Sequence, residues 1–447
     1  MKRITGFHPG RKNAFEAQTN MNALFNRLKV PMAILTVFIM VGCSIFIATS
    51  SSPSTRHASI YVDRSWTMIN DDDPGGDCGY WSSIAIDSQH HVHMVYEAGS
   101  TAVRYATNES GSFVYTMVDG WYSGASGICN SMAISSNNKV YIATHNETPT
   151  ESLYVLARSI YGSTWTSTLI DNTGDPGCPG AGNNNMDISI ATDSNNRVHI
   201  AYWRHTTNDL VYATNATGVW VITPIDTVGT VGNGCSLGID SSNKAHISYW
   251  NSTSTHLSYA TNAGGSWIHA NIDNTSNVGS ETALVVDSSD KIHIVYQNSS
   301  AVLSYMTNSG GRWSVPVSIT ANVGTYNYGR RPTMAIDNSN YLHVAHEALS
   351  VAPWDTNLIY TTNENGTWDT HLIESFNQVG VDPSIAVDTD GKVLIAAHDN
   401  EAVASDLKLY SSVIVIPEFG SVAMVSVFAA VIVLVVMRSR KKTESEQ

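Results

Sequence analysis

Short runs of alternating apolar and polar residues recur along the chain and predict its strands. The first recurring run has a small residue, three mostly apolar residues and an Asp, as in Ser83-Ile84-Ala85-Ile86-Asp87. Seven copies occur, and their last positions lie 48, 58, 47, 47, 50 and 51 residues apart. A repeat of this length is typical of one propeller blade. The copies begin at Ser83, Ser131, Ser189, Ser236, Ala283, Thr333 and Ser384.

Three further runs follow each copy. In the third unit they cover residues 198–202, residues 210–215 and the segment after Gly218-Val219-Trp220. These runs are rich in β-branched and aromatic residues and are bounded by turn-forming residues, a pattern that is typical of β-strands. No helical stripe of useful length occurs between residues 58 and 416. The sequence therefore predicts an all-β fold, a ring of seven four-stranded antiparallel blades with strands a to d from the centre outward.

The seventh unit lacks a fourth strand, because no Gly-x-Trp run precedes Pro417. The missing strand is predicted at the other end of the chain, where residues 65–71 read like residues 266–273. An N-terminal strand that completes the last blade would close the ring.

The hairpin at Thr261-Asn262-Ala263-Gly264-Gly265-Ser266-Trp267 resembles the Asp-box hairpins of the sialidase-like, or BNR, propellers. An Asp-box has an Asp two residues before its Gly, whereas here Asn262 stands three before Gly265 and Trp267 two after. The resemblance implies the propeller fold over residues 61–412 and says little about chemistry.

The two ends of the chain predict its compartment. Residues 30–49 carry no charge and follow a basic segment, residues 1–29, so they suit a signal peptide or signal anchor. A second apolar run, residues 421–437, is followed by a basic cluster. Positive charge at both outer flanks predicts cytoplasmic tails and an extracellular propeller, residues 58–416, held at the cell membrane.

Residues 417–442, introduced by Ile416-Pro417-Glu418-Phe419-Gly420, resemble the PEF-type C-terminal sorting signals of archaeal surface proteins. The resemblance implies an archaeosortase as processing partner, cleavage near the motif and transfer to a lipid; a plain membrane anchor is the alternative. Cys43 follows Met40-Val41-Gly42, which is similar to a lipobox, although a small apolar residue in a membrane segment is the simpler interpretation.

Four cysteines precede strand a of the first four blades and are predicted to form disulfides in an exported chain. The simplest pairs are Cys78 with Cys129 and Cys178 with Cys235; a metal site and free thiols are the alternatives. Seven Asn-x-Ser/Thr sequons make the chain a candidate glycoprotein. They are Asn108, Asn146, Asn215, Asn251, Asn274, Asn298 and Asn365.

The propeller region is strongly acidic. Residues 58–416 contain 13 Lys and Arg against 34 Asp and Glu, a net charge of −21. Such a field repels nucleic acid and anionic polymers and favours a neutral or cationic ligand.

The ends of the b strands differ between units, as positions in a binding site would. Two Trp, two carboxylates and two His there suit sugar stacking and polar orientation; ordinary strand-end residues are the alternative. The candidate ligand-binding residues are Glu97, His145, Trp203, Arg204, Trp250, Gln297, Glu347 and His398.

Two other columns repeat. One holds His93, His199, His246, His293 and His343 and is predicted to be structural, paired with the Asp that ends strand a. The other is acidic and suits turns, with calcium as the alternative. It holds Asp119, Asp171, Asp226, Asp273, Glu374 and the cluster Asp71, Asp72 and Asp73.

Three functions are therefore open: a surface recognition module for glycan or protein, a sialidase-like hydrolase or polysaccharide lyase, and a structural surface-layer component. An enzyme of this kind needs paired carboxylates. Glu97, Glu347 and the pair Arg330-Arg331 are the candidates. A site like that of the sialidase family would need three converging arginines, and besides this pair only Arg204 is an obvious residue of the mouth, so an enzyme is not favoured. No catalytic residue and no resident metal is assigned.

Overall fold

Seven four-stranded antiparallel sheets form the structure, a computed structural model. It describes residues 63–72, 79–98, 102–118, 126–146, 151–177, 187–320, 326–350, 356–375, 379–399 and 406–415. The all-β fold with seven blades is confirmed. No helix among these residues is long and apolar enough to cross a bilayer. The predicted segments at residues 1–29, 30–49 and 417–442 lie outside them.

The strands are numbered in chain order. Blade 1 has β2 (Ser83–Ile86), β3 (Val92–Ala98), β4 (Ala102–Thr107) and β5 (Val114–Met117); blade 2 has β6 (Ser126–Ser135), β7 (Lys139–Asn146), β8 (Ser152–Ser159) and β9 (Thr166–Asp171). Blade 3 has β10 (Ile188–Thr192), β11 (Val198–Arg204), β12 (Asp209–Thr214) and β13 (Val221–Asp226); blade 4 has β14 (Val231–Ile239), β15 (Ala245–Asn251), β16 (His256–Thr261) and β17 (Ile268–Asp273).

The remaining blades follow the same order. Blade 5 has β18 (Thr282–Val286), β19 (Ile292–Gln297), β20 (Leu303–Thr307) and β21 (Val317–Ser318); blade 6 has β22 (Tyr326–Ile336), β23 (Leu342–Ser350), β24 (Thr356–Thr362) and β25 (Asp369–Glu374). Blade 7 has β26 (Val379–Val387), β27 (Val393–Asp399) and β28 (Asp406–Val415), and β1 (Asp63–Asp72) is its fourth strand.

The N-terminal strand closes the ring as predicted. β1 pairs antiparallel with β28, with Trp66 opposite Ser412. Its Arg64 makes a bidentate ion pair with Glu364 of blade 6, at 2.6 and 2.9 Å, and the Trp66 ring packs edge to face on Tyr360 at 4.9 Å. The latch strand therefore holds blade 6 as well as blade 7.

The Asp of the repeated run organises each blade. In blade 3, Asp193 Oδ1 accepts the backbone N–H groups of Asn195 and Arg197, while Oδ2 lies 3.4 Å from His199 Nε2. The same histidine contacts the Tyr212 hydroxyl through Nδ1 at 2.5 Å. The Asp–His distance is 3.1–3.5 Å in all five blades that keep the pair, which confirms the structural interpretation of the histidine column.

The small residue that begins the run connects neighbouring blades around the central channel. At five of the seven joints its serine Oγ accepts a backbone N–H of the next strand a, at 2.9–3.2 Å. The donors belong to Ile84, Met132, Ile190, Leu237 and Leu284. Ala283 and Thr333 interrupt this ring at the joints from blade 5 to 6 and from 6 to 7, and the described residues show no such hydrogen bond there.

On the opposite face, the turns between strands a and b also touch one another. Ser194 Oγ donates to Asn243 Oδ1 at 2.8 Å, and Ser241 Oγ donates to Asp290 Oδ2 at 2.7 Å. At the joint between blades 7 and 1, His90 Nδ1 lies 2.6 Å from Asp388 Oδ1. Five of the seven joints are therefore bridged by serine at one end of the channel, and contacts between turns join blades at the other end.

Candidate ligand-binding site at the channel mouth

The residue two positions before each repeated run lies at the entry of strand a. Its type differs from blade to blade, and only Asp occurs twice. We call these seven residues the entry ring. Five of them have positive φ, between 46° and 60°. Bulges in four of the strands accompany this conformation, and bulges re-aim side chains. The entry ring is Trp81, Cys129, Asp187, Gly234, Glu281, Arg331 and Asp382.

The left-handed backbone is costly for residues other than glycine, roughly 1–3 kcal/mol each. Trp81, Cys129, Arg331 and Asp382 all adopt it. Such strain concentrates at functional sites, so the entry ring is the first place to look for one.

A cavity of about 230 Å³ lies at the centre of the ring and is lined by residues from all seven blades. Gly234, Glu281 and Arg331 of the entry ring line it, and Thr333 faces it. The cavity is thus the central channel at the face where the a strands begin.

Acidic members of the entry ring accept backbone N–H groups from the following blade. Asp187 Oδ1 accepts Gly234 N–H at 2.6 Å, Glu281 Oε2 accepts Arg331 N–H, and the Asp382 carboxylate accepts Trp81 N–H. Blades 3, 5 and 7 therefore supply carboxyl groups that hold the entries of strand a in blades 4, 6 and 1.

Arg331 is the cation of this ring. Its Nε lies 3.1 Å from Asp382 Oδ1, and its Nη1 lies 3.2 Å from Glu347 Oε2. Arg330 Nη1 holds the other oxygen of Glu347 at 2.9 Å. Burial opposes the charge of Arg331, but Asp382, Glu347 and Glu281 outweigh it, so the pKa of Arg331 is raised.

Burial raises the pKa of three carboxyl groups at this mouth. For Glu347 and Asp382 burial outweighs the nearby arginines, which act in the opposite direction. For Asp187, which is fully buried, burial raises the pKa well above its usual value despite the Gly234 N–H. Protonated carboxyl groups can donate as well as accept hydrogen bonds.

Three polar groups at the mouth have no hydrogen-bond partner among the described residues. They are Asp187 Oδ2, the Trp81 indole N–H and Thr333 Oγ1. Buried polar groups in proteins are nearly always satisfied, by protein, water or ligand. Thr333 lines the cavity, and Asp187 and Trp81 belong to the entry ring around it, so a polar molecule at the mouth is the candidate for the missing partner.

An aromatic pair lies beside the arginine network. The Tyr80 and His398 rings have centroids 3.7 Å apart, and Gly79 approaches His398 closely enough that a side chain at Gly79 would crowd it. Burial, with a smaller contribution from Arg331, lowers the pKa of His398 to about 3. His398 is therefore neutral at physiological pH.

The predicted column at the ends of the b strands lies behind the mouth. Loops from strand d cover it: Gly79 N–H donates to Glu97 O at 2.9 Å, Gly177 N–H to Trp203 O at 2.7 Å and Gly279 N–H to Gln297 O at 3.1 Å. Glu97 and Trp203 are buried as a result, which leaves neither ring nor carboxylate displayed on an open rim. The divergent entry ring was visible in the sequence two residues before each run and was missed there.

Some of the predicted residues do come together. Glu347 and His398 border the arginine network. His145, Trp203 and Arg204 form a second group with Asp171, Asp175 and His205.

In that second group Asp175 lies between two histidines, 3.3 Å from His145 and 3.2 Å from His205. Arg204 pairs with Asp171. Trp250 is half-buried on β15, and the structure joins neither Trp250 nor Gln297 to either group.

One predicted disulfide pairing is wrong. Cys235 is a buried free thiol whose Sγ lies 3.6 Å from the Asp187 carbonyl oxygen, so it does not pair with Cys178. The reason is local: the bulge at Gly234 turns Cys235 into the channel wall. Cys129 is disulfide-bonded, and its partner lies outside the described residues, as do Cys43, Cys78 and Cys178.

The acidic column is used by the fold. Tyr202, Tyr249 and Tyr296, each from the next blade, donate hydroxyl hydrogen bonds of 2.6–2.8 Å to Asp171, Asp226 and Asp273 respectively. The other oxygen of each Asp accepts a turn N–H. No group of three or more His, Cys, Asp or Glu side chains suited to a metal ion occurs in the part of the chain that the structure describes.

The sequons differ in how free their amides are. Asn298 Nδ2 donates to Ser304 Oγ at 2.8 Å, while Asn274 is exposed. Asn108 and Asn215 use Oδ1 to accept the first N–H of strand b.

No family model matches the chain, and no curated protein matches it in sequence. Among solved structures it is similar to an ulvan lyase, a polysaccharide lyase bound to -[GlcA(1-4)Rha3S]-, with TM-score 0.50 and 11% identity over 76% of this chain and 95% of that chain. Weaker matches, which carry no argument, are a protein of unknown function from Dyadobacter fermentans (TM-score 0.48, 8% identity, 78% and 99% covered) and the six-bladed fucose-recognising lectin of Aleuria aurantia (0.44, 12%, 66% and 95%). At such low identity the lyase shows the shared fold alone.

Proposed function

We propose that this protein is a surface-displayed recognition propeller that binds a neutral or cationic glycan at the channel mouth. One observation supports this most: the cavity is lined by entry-ring residues that change from blade to blade and by Thr333, whose hydroxyl has no hydrogen-bond partner among the described residues. Two further unpartnered groups, on Asp187 and Trp81, belong to the same entry ring. Positions that repeat in every blade maintain the fold, whereas positions that differ between blades are where a binding site is expected.

The chemistry of the mouth suits a molecule rich in hydroxyl groups. Carboxyl groups, an indole N–H and a threonine hydroxyl together provide acceptors and donors, and the half-buried rings of Tyr80 and Trp81 provide apolar surface for a sugar face. The acidity of the propeller disfavours anionic polymers. A protein ligand with a basic segment is the second candidate in the same class.

The proposal includes the compartment predicted from the sequence. An N-terminal signal or anchor, a PEF-type signal processed by an archaeosortase, and glycosylation at Asn274 would belong to a protein held at the cell membrane with its propeller outside.

An enzyme is the alternative, and the shared fold of the ulvan lyase keeps it open. One contact disfavours the carboxylate that we nominated: Glu347 is held between Arg330 and Arg331 and is 2% exposed. A carboxylate so fixed is a poor nucleophile or base for a polymer outside. Turnover of an acidic polysaccharide that is lost in Glu347→Gln would reverse this judgement.

The test is a glycan array probed with the full chain in detergent, and with two variants. Glu281→Gln keeps the Arg331 N–H bond but removes a charge at the cavity; Asp390→Asn removes an exposed charge on the opposite face. We expect binding that Glu281→Gln weakens at least about tenfold, or ~1.4 kcal/mol, and that Asp390→Asn leaves unchanged. No binding to any glycan or basic peptide would favour the structural surface-layer function.

A further inference from the structure

At the joint between blades 1 and 2 an arginine lies against the rings of a Tyr–Trp pair, a cation–π contact that the described residues show at no other joint. At four joints a Tyr of one blade packs against the Trp of the next, with centroids 4.9–5.2 Å apart. Tyr105 and Trp165 make the same contact at 5.2 Å, but here the Arg158 guanidinium lies 4.4 Å from the Tyr105 ring centroid and 5.3 Å from that of Trp165.

Arg158 replaces a residue that the scaffold uses elsewhere. Its place in strand c, opposite Val140, corresponds to that of Asn215, whose side chain accepts the N–H of Val198 at 2.8 Å. Arginine has no acceptor and cannot make this bond. Blade 2 also lacks the Asp–His pair and has Ser135 and Tyr141 instead. Several repeated structural residues are therefore replaced in this blade.

The charge of Arg158 is matched locally. Nη2 lies 3.2 Å from Glu109 Oε1 and 3.5 Å from the Tyr105 hydroxyl, while Nε is buried without a hydrogen-bond partner among the described residues. The side chain is 8% exposed. A buried guanidinium with one unused donor is an unusual feature that calls for a partner.

A cleft of about 330 Å³ opens beside this arginine on the outer wall of the propeller. It is lined by Arg158, Thr116, Met117, Ser163 and Trp165, from strand d of blade 1 and from blade 2. Thr116 and Ser163 are exposed, and Trp165 is half-buried. The volume falls at the lower end of the range for small-molecule sites, ~300–1,000 Å³.

We infer that this cleft is a second binding site, separate from the channel mouth, which takes a single neutral sugar ring. Trp165 offers a face for the C–H surface of the sugar, and Ser163, Thr116 and the Arg158 guanidinium in the wall of the cleft offer hydrogen bonds to its hydroxyls. Because Glu109 neutralises Arg158, the cleft gains no net attraction for an acidic sugar. Its position on the outer wall allows binding whether or not the channel is occupied.

The test is a titration of the full chain in detergent with methyl glycosides of glucose, galactose, mannose and N-acetylglucosamine, followed by tryptophan fluorescence. We expect at least one to saturate. Ser163→Tyr fills the cleft from an exposed position that the fold does not need, and should weaken binding at least about tenfold. Trp165→Phe should weaken it also, while Trp313→Phe, the matched residue at the joint without an arginine, should not.

The remaining outcomes are decisive. Arg158→Lys keeps the charge but loses the planar fork, so weaker binding with unchanged thermal unfolding supports the inference. No saturation by any glycoside, or saturation that Ser163→Tyr leaves intact, would overturn it. Tighter binding of methyl glucuronide than of the neutral glycosides would overturn the ligand class. Glu281→Gln at the channel mouth should leave this titration unchanged. The titration therefore distinguishes a failure of this second site from a failure of the function proposed for the channel mouth.

Discussion

The joints between blades fall into two kinds around the channel. Five are bridged by a serine Oγ that accepts a backbone N–H of the next blade. The joints from blade 5 to 6 and from 6 to 7 lack that bridge, and Arg331 spans both, through its backbone N–H to Glu281 and its guanidinium to Asp382. A neutral bond repeated five times and one buried ionic network thus hold adjacent parts of the same ring.

The two kinds of joint differ in what they can do besides hold. A serine bridge uses one acceptor position of a hydroxyl and brings no charge to the cavity that the five serines line. The arginine-bridged joints carry charge, carboxyl groups with raised pKa and the unpartnered Thr333 hydroxyl to the edge of the cavity. We infer that the serine bridge is absent at these two joints because charged and polar groups of the binding site occupy them.

Removal of the latch strand should have the largest effect. Deletion of residues 61–71 removes the β1–β28 ladder, the Arg64–Glu364 ion pair and the Trp66 contact to Tyr360. We expect loss of the cooperative thermal transition, because an open ring exposes edge strands of blade 7. Met68→Ser, an exposed change on the same strand, is the control. A deletion variant that melts at the parent temperature would contradict ring closure by this strand.

Substitution of the arginine that bridges two joints should come next. Arg331→Met leaves Asp382 and Glu347 buried without their shared cation, and breaking a buried ion pair costs roughly 3–5 kcal/mol. Arg330→Met should cost less, since its side chain is 24% exposed and bridges no joint. Urea unfolding measures both. Equal losses would show that Arg331 is not the bridge.

Acid should weaken the arginine-bridged region through its buried histidine. The pKa of His398 is lowered to about 3, chiefly by burial, so the folded state keeps it neutral while the unfolded state takes up a proton below its ordinary pKa of about 6.5. Its stabilising contribution is complete above pH ~6.5 and is lost as pH falls toward the folded pKa, by roughly 1.4 kcal/mol per pH unit.

His398→Gln should therefore flatten the pH dependence of the unfolding free energy in this window by about one proton. Glu347 and Asp382 act oppositely, since their raised pKa values favour folding at low pH. His93, in a serine-bridged blade, has its pKa lowered to about 4 by burial and is the comparison variant. An unchanged slope in His398→Gln would show that this histidine titrates normally.

The serine bridges should show the smallest effect singly. Ser236→Ala removes the acceptor of Leu284 N–H and should cost about 1 kcal/mol. Thr333→Ala, at the equivalent position of an arginine-bridged joint, removes a hydroxyl without a hydrogen-bond partner among the described residues and should cost less. A larger loss for Thr333→Ala in urea unfolding would contradict the division into two kinds of joint.

The repeated positions made most of the fold predictable. Each Asp of the repeated run bonds its turn and a histidine, and each Ser bonds the neighbouring blade, so these positions are repeated in the sequence. The repeats therefore predicted the number of blades, the strand order and the closing strand around Trp66. The bulged entries were not predicted, because the residues that adopt positive φ at this repeat position share no residue type and so leave no signal in composition. The bulged strands β6, β14, β22 and β26 begin before the repeated run.

The site was predicted only in part for the same reason. Trp203 and Glu97 vary between blades, as a ligand contact would, yet loops carrying Gly79 and Gly177 cover them. Whether a divergent residue is displayed depends on such covering loops, which no local pattern encodes. Glu347 was recognised as a candidate, but its two arginine partners define a bridge rather than an open carboxylate.

Hydrogen exchange of the full chain, with and without the oligosaccharide that binds best on the array, tests the channel-mouth site most directly. We predict protection at the entries of strand a, above all around Gly234, Glu281 and Arg331, with the a–b turns of the opposite face unchanged. Protection confined to those turns or to the outer d strands would contradict a ligand site at the channel mouth.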